Sequence, residues 1–178
     1  YQGARFLLVA TPSGITLAPE GGAHQSIGTP LVGMSQPGLT FFEPAFADEV
    51  AAIMAWAFRH LQAPDGGSVY LRLSTRQVQQ PSRSLAAGVI DGGYWLVPPG
   101  PRTELALVYS GAVVPEVLEA AELLAEDLPE LGVLAVTSAD RLHADWRARG
   151  EAGVAARLLG ALPPGGPLVT VLDGHPPT

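Results

Sequence analysis

A histidine close to two glycines is the first candidate for chemistry in this sequence. His24 follows Gly21 and Gly22 in a stretch rich in glycine and proline, and glycine lets a backbone approach a ligand closely. A histidine can also exchange protons near neutral pH. Glu20 lies just upstream and is a candidate carboxylate partner of His24, but spacing in a loop does not fix their geometry. The alternative is an exposed histidine and a solvated charge without a role.

The sequence around the other three histidines gives weaker evidence of a functional role. His60 ends a predicted helix, where the helix dipole favours a cation. His143 follows Asp140 and Arg141 in a polar stretch. His175 comes just after a predicted strand, where α/β folds often place ligands. The sequence leaves the roles of His175 and Glu20 open.

Other motifs for catalysis or cofactor binding are lacking. Ser110 and Gly111 follow a predicted strand and open a helix, so their amides could hold an anion, but an ordinary strand-to-helix turn explains them equally well. The histidines are not paired at metal-ligand spacing, so no metal site is predicted. Neither a Gly-x-Ser-x-Gly elbow nor a phosphate-binding loop occurs. The Asp-Gly-Gly runs at Asp65 and Asp91 are typical of turns.

The first part of the chain alternates strand and helix patterns. Residues 6–10 are an unbroken apolar run, which predicts a strand buried on both faces. Residues 15–38 have no period, and a long loop of this kind is a first place to look for a site. Strands are predicted at 39–42 and 68–73, with an amphipathic helix at 46–61 between them. This pattern indicates a parallel sheet.

A linker leads to a second unit. Residues 74–102 carry scattered Gln, Ser, Gly and Pro, with one candidate extended segment at 94–97, and they place a domain boundary near Leu85. Beyond the linker, strands are predicted at 105–109, 133–137 and 168–172, and helices at 114–126 and around 153–162. The predicted fold class is therefore α/β, with two parallel-sheet units flanked by helices in domains 1–85 and 86–178.

Composition and charge exclude several classes of protein. The chain has 178 residues, 47% of them hydrophobic, which is enough for a buried core. Its net charge is −7 and it has no run of Lys or Arg, so neither nucleic acid nor a membrane is an expected partner. Cysteine is absent, which excludes disulfides and thiolate sites and fits a cytoplasmic location. A start at Tyr1 suggests a piece of a longer chain.

Four stretches resemble a known superfamily. Residues 11–25 (TPSGITLAPEGGAHQ) and 37–50 (PGLTFFEPAFADEV) resemble the pyrimidine-binding domain of the thiamin-diphosphate-dependent transketolase superfamily, where a strand leads through a glycine-rich loop to a histidine. Residues 68–73 (SVYLRL) and 87–96 (AGVIDGGYWL) are similar to the homodimeric pyruvate dehydrogenase decarboxylase component in particular. Residues 1–85 would then be the C-terminal part of the pyrimidine-binding domain, and residues 86–178 an incomplete C-terminal domain.

The resemblance implies thiamin diphosphate and Mg²⁺ as cofactors, bound between the subunits of a homodimer. The Gly-Asp-Gly motif for magnesium and the segment with the activating glutamate are absent here, so the ligands of the diphosphate and of the metal are expected outside these residues. His24 matches the family's active-site histidine, which would hydrogen-bond the substrate or its carbanion-like intermediate. Residues 25–28 (QSIG) depart from the acidic residues and further histidine of pyruvate dehydrogenases, and Pro12 stands where transketolases have a histidine.

Three functions are compatible with this resemblance. The first is oxidative decarboxylation of a 2-oxoacid, in particular pyruvate from glycolysis, with acyl transfer to the lipoyl acyltransferase of a multienzyme complex. The second is a transketolase-like glycolaldehyde transferase, whose sugar phosphates favour Arg and Lys, yet residues 15–38 contain neither. The third is a non-catalytic module for dimerisation or scaffolding. We expect the isolated piece to be inactive and to expose a sheet edge after residues 168–172.

Overall fold

A computed structural model describes residues 3–11, 14–85 and 87–174. The predictions made for Pro12 and His175 lie outside these residues. Two sheets with flanking helices make up the fold, which confirms the α/β class. Within the described ranges, no helix combines the length and the apolar character needed to cross a membrane.

The first sheet is parallel and has the order β1-β3-β2. Its strands are β1 (Leu7–Ala10), β2 (Leu39–Phe42) and β3 (Ser68–Arg72). The central strand β3 is buried along its whole length. The predicted burial of β1 on both faces is wrong, since Leu8 and Val9 are each 46% exposed. These side chains are exposed because β1 lies at the edge of the sheet and pairs only with β3 in the described structure.

The stretch from 15 to 38 is a series of short helical turns rather than a structureless loop. Two 3-10 turns, Ile15–Glu20 and Gly22–His24, precede helix α1 (Thr29–Met34). Each piece is too short to show an apolar period in the sequence.

Helix α2 (Ala47–Gln62) follows β2 and confirms the predicted amphipathic helix. Its buried face packs Ile53 and Ala57 into the core. Glu49 Oε2 accepts hydrogen bonds from the amides of Ala45 (2.7 Å) and Phe46 (3.0 Å). A carboxylate of the first turn thus satisfies amides that would lack a helical partner.

The second sheet has the order β4-β6-β5-β7. Its strands are β4 (Gly93–Val97), β5 (Ala106–Tyr109), β6 (Gly132–Val136) and β7 (Leu168–Val171). Strands β5, β6 and β7 run parallel, whereas β4 is antiparallel to β6. The predicted parallel unit is thus present, and the candidate extended segment at 94–97 within the predicted linker is strand β4, which adds an antiparallel edge to it. The chain reverses before β4 at Gly92, whose φ of 110° favours glycine.

Four helices accompany the second sheet: α3 (Gly88–Asp91), α4 (Val114–Leu124), α5 (Ala139–Arg149) and α6 (Val154–Leu159). Helices α4 and α6 lie at predicted positions. Helix α5 was not predicted, because it contains no buried residue and so lacks the apolar stripe that marks a helix in sequence.

The two sheets share one hydrophobic core. Phe42, Ile53 and Leu71 from the first unit pack in the same cluster as Leu107 and Val117 from the second. Hydrogen bonds also join the units at the end of β2, where Glu43 N donates to Thr137 O (2.8 Å) and Ser138 Oγ donates to Phe41 O (2.5 Å). The domain boundary near Leu85 stays a prediction, with one sheet on each side.

Candidate functional site

Strands from both sheets end around a cavity of about 740 Å³. Its polar lining comes from Glu43 and Arg72 at the ends of β2 and β3, and from Ser110, Thr170 and Asp173 of the second sheet. Ligands of α/β sheets bind at the carboxyl ends of strands, and small-molecule sites have volumes of roughly 300–1,000 Å³. The cavity has the place and the size of a ligand site.

A buried ion pair forms the polar centre of this cavity. The side chains of Arg72 and Glu43 are only 1% and 8% exposed, and Arg72 Nη1 donates to Glu43 Oε1. Arg72 Nη2 donates to the carbonyl oxygens of Asp173 (2.8 Å) and Ser26 (3.2 Å). Arg72 therefore connects β3 to β2, to the residue beyond β7 and to the glycine-rich stretch.

Burial changes the acidity of Glu43. Loss of solvent raises the pKa of its carboxyl to about 7, although the guanidinium of Arg72 acts in the opposite direction. Glu43 thus changes charge near neutral pH. In the sequence, Glu43 was noted only as part of residues 37–50, which resemble the pyrimidine-binding domain, and no chemistry was assigned to it.

The turn from β5 to α4 is shaped around Glu43. Gly111 has φ of 68°, and a Cβ at this position would lie 2.7 Å from Glu43 Cγ. The Ser110–Gly111 turn, which the sequence offered as an anion site, therefore packs against a side chain of the protein itself. Ser110 Oγ donates to Val136 O (2.9 Å).

Asp173 is a buried residue that sequence reasoning missed. Its Oδ1 accepts from Thr16 N (3.0 Å) and its Oδ2 from Thr16 Oγ1 (2.5 Å). This contact ties the first 3-10 turn to the end of β7. The partners are 157 positions apart, so no local pattern could have revealed the contact.

His24 lies away from this cavity. It is exposed at the end of the Gly22–His24 turn and is not among the residues that line the cavity. Glu20 faces another groove, of about 570 Å³, which also contains Arg76 and Glu116. Within the described ranges, no hydrogen bond or ion pair joins His24 to Glu20. Glu20 was only a candidate partner of His24, and the structure shows no such contact between the two side chains. The catalytic role of His24 stays a prediction.

His60 differs from its sequence-based expectation. Its ring stacks on Trp56 with centroids 4.5 Å apart, and its Nε2 accepts from Gly67 N (3.0 Å). Burial and the charge of Arg141 lower its pKa. The prediction that His60 is a cation at the end of α2 is therefore wrong, since only a neutral imidazole can accept this hydrogen bond. His143 is exposed on α5.

Comparisons with known proteins find relatives in sequence and in structure. The chain is 33% identical over 129 residues to the pyruvate dehydrogenase E1 component of Mycolicibacterium smegmatis, an alignment that covers 68% of this chain and 14% of the relative. It is 30% identical over 125 residues to the transketolase of Kluyveromyces lactis, with 70% of this chain and 18% of the relative covered. No protein-family model matches the chain.

The fold is that of solved transketolases. The transketolase of Campylobacter jejuni superposes with a TM-score of 0.74 at 21% identity, over 95% of this chain and 24% of that structure. The transketolase of Leishmania mexicana superposes with a TM-score of 0.73 at 22% identity, over 94% of this chain and 23% of that structure. The chain thus spans less than a quarter of the length of these proteins. By sequence and by fold, it belongs to the thiamin-diphosphate-dependent transketolase superfamily, with pyruvate dehydrogenase E1 components among its relatives.

Proposed function

We propose that this chain is part of the decarboxylase component of a 2-oxoacid dehydrogenase, with pyruvate as the substrate. The observation that carries the proposal is the 33% identity to a pyruvate dehydrogenase E1 component. The complete enzyme would oxidatively decarboxylate the 2-oxoacid and pass the acyl group to the lipoyl acyltransferase of a multienzyme complex. It would act as a homodimer in the cytoplasm.

Among the described residues, no group of three or more His, Asp or Glu side chains could hold a metal ion. Mg²⁺ is usually bound by one or two carboxylates together with phosphate oxygens and waters. In this proposal the ligands of Mg²⁺ and of the diphosphate come from another segment or subunit. Thiamin diphosphate, when bound, supplies the electron sink for the reaction.

In this proposal His24 acts on the substrate. It is exposed at the end of the Gly22–His24 turn, which Gly21 precedes with φ of 101°, so the imidazole is accessible to a ligand held by a neighbouring subunit. A neutral or protonated imidazole can donate a hydrogen bond to a carboxylate or carbonyl oxygen. Substitution of His24 would then lower activity without loss of stability.

One observation favours the transferase as a second candidate. Residues 15–38 contain no Arg or Lys, but Arg76 lies in the same groove as Glu20. Arg76 Nη1 donates to Glu116 Oε2 (2.8 Å). A guanidinium at this position could exchange its carboxylate partner for a sugar phosphate.

The test uses the full-length gene product and its His24→Asn variant. We expect CO₂ release from pyruvate that depends on thiamin diphosphate and an electron acceptor, with kcat at least about tenfold lower in the variant, since general acid-base groups typically contribute 10²–10⁴-fold. His143→Asn is the matched control and should keep full activity. Glycolaldehyde transfer between sugar phosphates, without action on pyruvate, would favour the transferase. Absence of both activities would refute both proposals.

A further inference from the structure

The turns around His24 are held at both ends by residues from distant parts of the chain. Upstream of His24, Thr16 donates through its amide to Asp173 Oδ1 (3.0 Å) and through its hydroxyl to Asp173 Oδ2 (2.5 Å). Downstream, the carbonyl oxygen of Ser26 accepts from Arg72 Nη2 (3.2 Å). These two contacts fix the ends of the anchored segment, which runs from Thr16 to Ser26.

The two anchoring residues form one buried unit. Asp173 is 2% exposed and Arg72 is 1% exposed, and Arg72 Nη2 also donates to the carbonyl oxygen of Asp173 (2.8 Å). Gly14 lies so close to this unit that a Cβ would be 2.6 Å from Asp173 O and 3.1 Å from Arg72 Nη2. Both ends of the anchored segment are therefore attached at one buried point of the fold.

Between its ends, the anchored segment consists of short, exposed turns. Residues 18–24 are exposed, and a Cβ at Gly21 would meet no atom within 4 Å. The backbone hydrogen bonds here are local, as in the bond from His24 N to Gly21 O (3.1 Å). Leu17 is buried next to Thr16. Turns with few buried contacts open locally at a low cost in free energy, so the position of His24 depends on the anchors.

We propose that Asp173 is a positioning residue, which holds the anchored segment so that His24 faces the substrate. Asp173 follows β7 of the second sheet, whereas His24 follows β1 of the first, so the second unit orients a side chain of the first unit. A hydrogen bond to a charged group changes an equilibrium by roughly ten- to a hundredfold, and Asp173 accepts two from Thr16. This inference rests on the proposed function, in which His24 acts on the substrate.

Hydrogen exchange of the full-length gene product tests the anchor independently of activity. Asp173→Asn replaces one of the two acceptor oxygens by an amide group, so we expect exchange in a peptide covering residues 15–28 to be at least about tenfold faster. Exchange in helix α2 should not change, because the effect is local. Asp127→Asn, an exposed change after α4, is the matched control. Equal acceleration in both regions, or in neither, would overturn the proposal.

Substitutions of Thr16 test the same contact from its other side and remain informative if Asp173→Asn fails to fold. Thr16→Val removes the hydroxyl donor at similar volume, whereas Thr16→Ser keeps it. We expect faster exchange of the anchored segment in the valine variant and nearly wild-type exchange in the serine variant. Thr170→Val, an exposed change on β7, is the matched control. Identical exchange in the two Thr16 variants would contradict the anchor.

Activity measurements test whether the anchor acts through His24. We expect kcat/KM for pyruvate to be at least about tenfold lower in Asp173→Asn, and the double variant with His24→Asn to be no less active than His24→Asn alone. Residues that act as a unit show such non-additive effects. Additive losses would overturn the positioning role. A wild-type protein without activity on pyruvate would refute the proposed function, whereas the exchange measurements would still decide the anchor.

Discussion

Arg72 is a buried side chain that joins three separate segments of the chain. It donates to Glu43 after β2, to Ser26 in the glycine-rich stretch and to Asp173 after β7. A neutral replacement would leave the carboxylate of Glu43 buried without its cation. Removing one member of a buried pair is costly, because the charge that remains has lost both water and its partner.

We therefore expect Arg72→Met to lower the free energy of unfolding at pH 8 by about 3–5 kcal/mol, the range known for broken buried pairs. Urea denaturation followed by circular dichroism measures this change. Arg102→Met, which removes an exposed arginine paired with Glu130, is the control and should have a much smaller effect. Similar effects of both substitutions would show that burial of the Arg72 pair is not what matters.

Glu43 makes stability depend on pH in a defined direction. Its pKa is about 7 in the folded state and about 4.5 in the unfolded chain, so the folded state binds the proton more tightly. The stabilisation is fully present below pH 4.5 and is lost as the pH rises to about 7. The loss amounts to about 3 kcal/mol, because each pKa unit corresponds to 1.36 kcal/mol.

Comparison with Glu43→Gln isolates this contribution, because glutamine does not titrate. We expect the difference in unfolding free energy between the two proteins to change by about 3 kcal/mol between pH 4.5 and pH 7.5, in favour of the wild type at low pH. Urea denaturation at several pH values gives this difference. A difference that is independent of pH would mean that Glu43 titrates at its ordinary pKa.

At the scale of elements, the turn between β5 and α4 depends on a glycine for two reasons. Gly111 has a positive φ of 68°, and its missing side chain makes room for Glu43 Cγ at 2.7 Å from the Cβ position. Gly165 offers a matched comparison, since it has φ of 75° but no atom within 4 Å of its Cβ position.

Gly111→Ala should therefore destabilise the protein more than Gly165→Ala does. The positive φ alone costs on the order of 1–3 kcal/mol for a residue other than glycine, and overpacking adds typically 1–3 kcal/mol. Thermal or urea unfolding of both variants measures the contrast. Equal losses would indicate that backbone conformation, and not contact with Glu43, requires glycine at position 111.

At the scale of the whole molecule, both sheets expose an apolar edge in the described structure. Leu8 and Val9 are exposed on β1, and Leu168 and Val169 are exposed on β7, which pairs only with β5. The exposed edge expected near residues 168–172 is thus present. Unpaired backbone groups beside apolar side chains favour strand pairing between molecules.

We predict that the 178-residue chain by itself associates with increasing concentration, and that Val9→Lys with Val169→Lys reduces this association. A charge on an edge strand opposes pairing because it would have to be desolvated. Analytical ultracentrifugation measures the effect. Leu123→Lys is the control, since Leu123 is exposed on helix α4. If the control reduces association equally, the sheet edges are not the contact.

The sequence by itself determined most elements and the superfamily. Periodic apolar residues predicted α2 and α4, and short apolar runs predicted β2, β3, β5 and β6, because burial of one face imposes a local pattern. Residues 11–25 and 37–50 were sufficient to suggest the transketolase superfamily, which the relatives support. Helix α5 was not predicted because none of its residues is buried. Strand β4 was predicted only as a candidate extended segment at 94–97, and its pairing with β6 was not predicted.

Only the tertiary structure decided the candidate site. Glu43, Arg72 and Asp173 meet although 29 positions separate the first two and 101 separate the last two. The pKa of Glu43 and the neutral state of His60 depend on burial and on neighbours from other elements. The chemistry of a side chain at a strand end can be predicted from sequence only when the residues that interact with it are close in the sequence. Here the partners converge from both sheets, so the fold had to be known first.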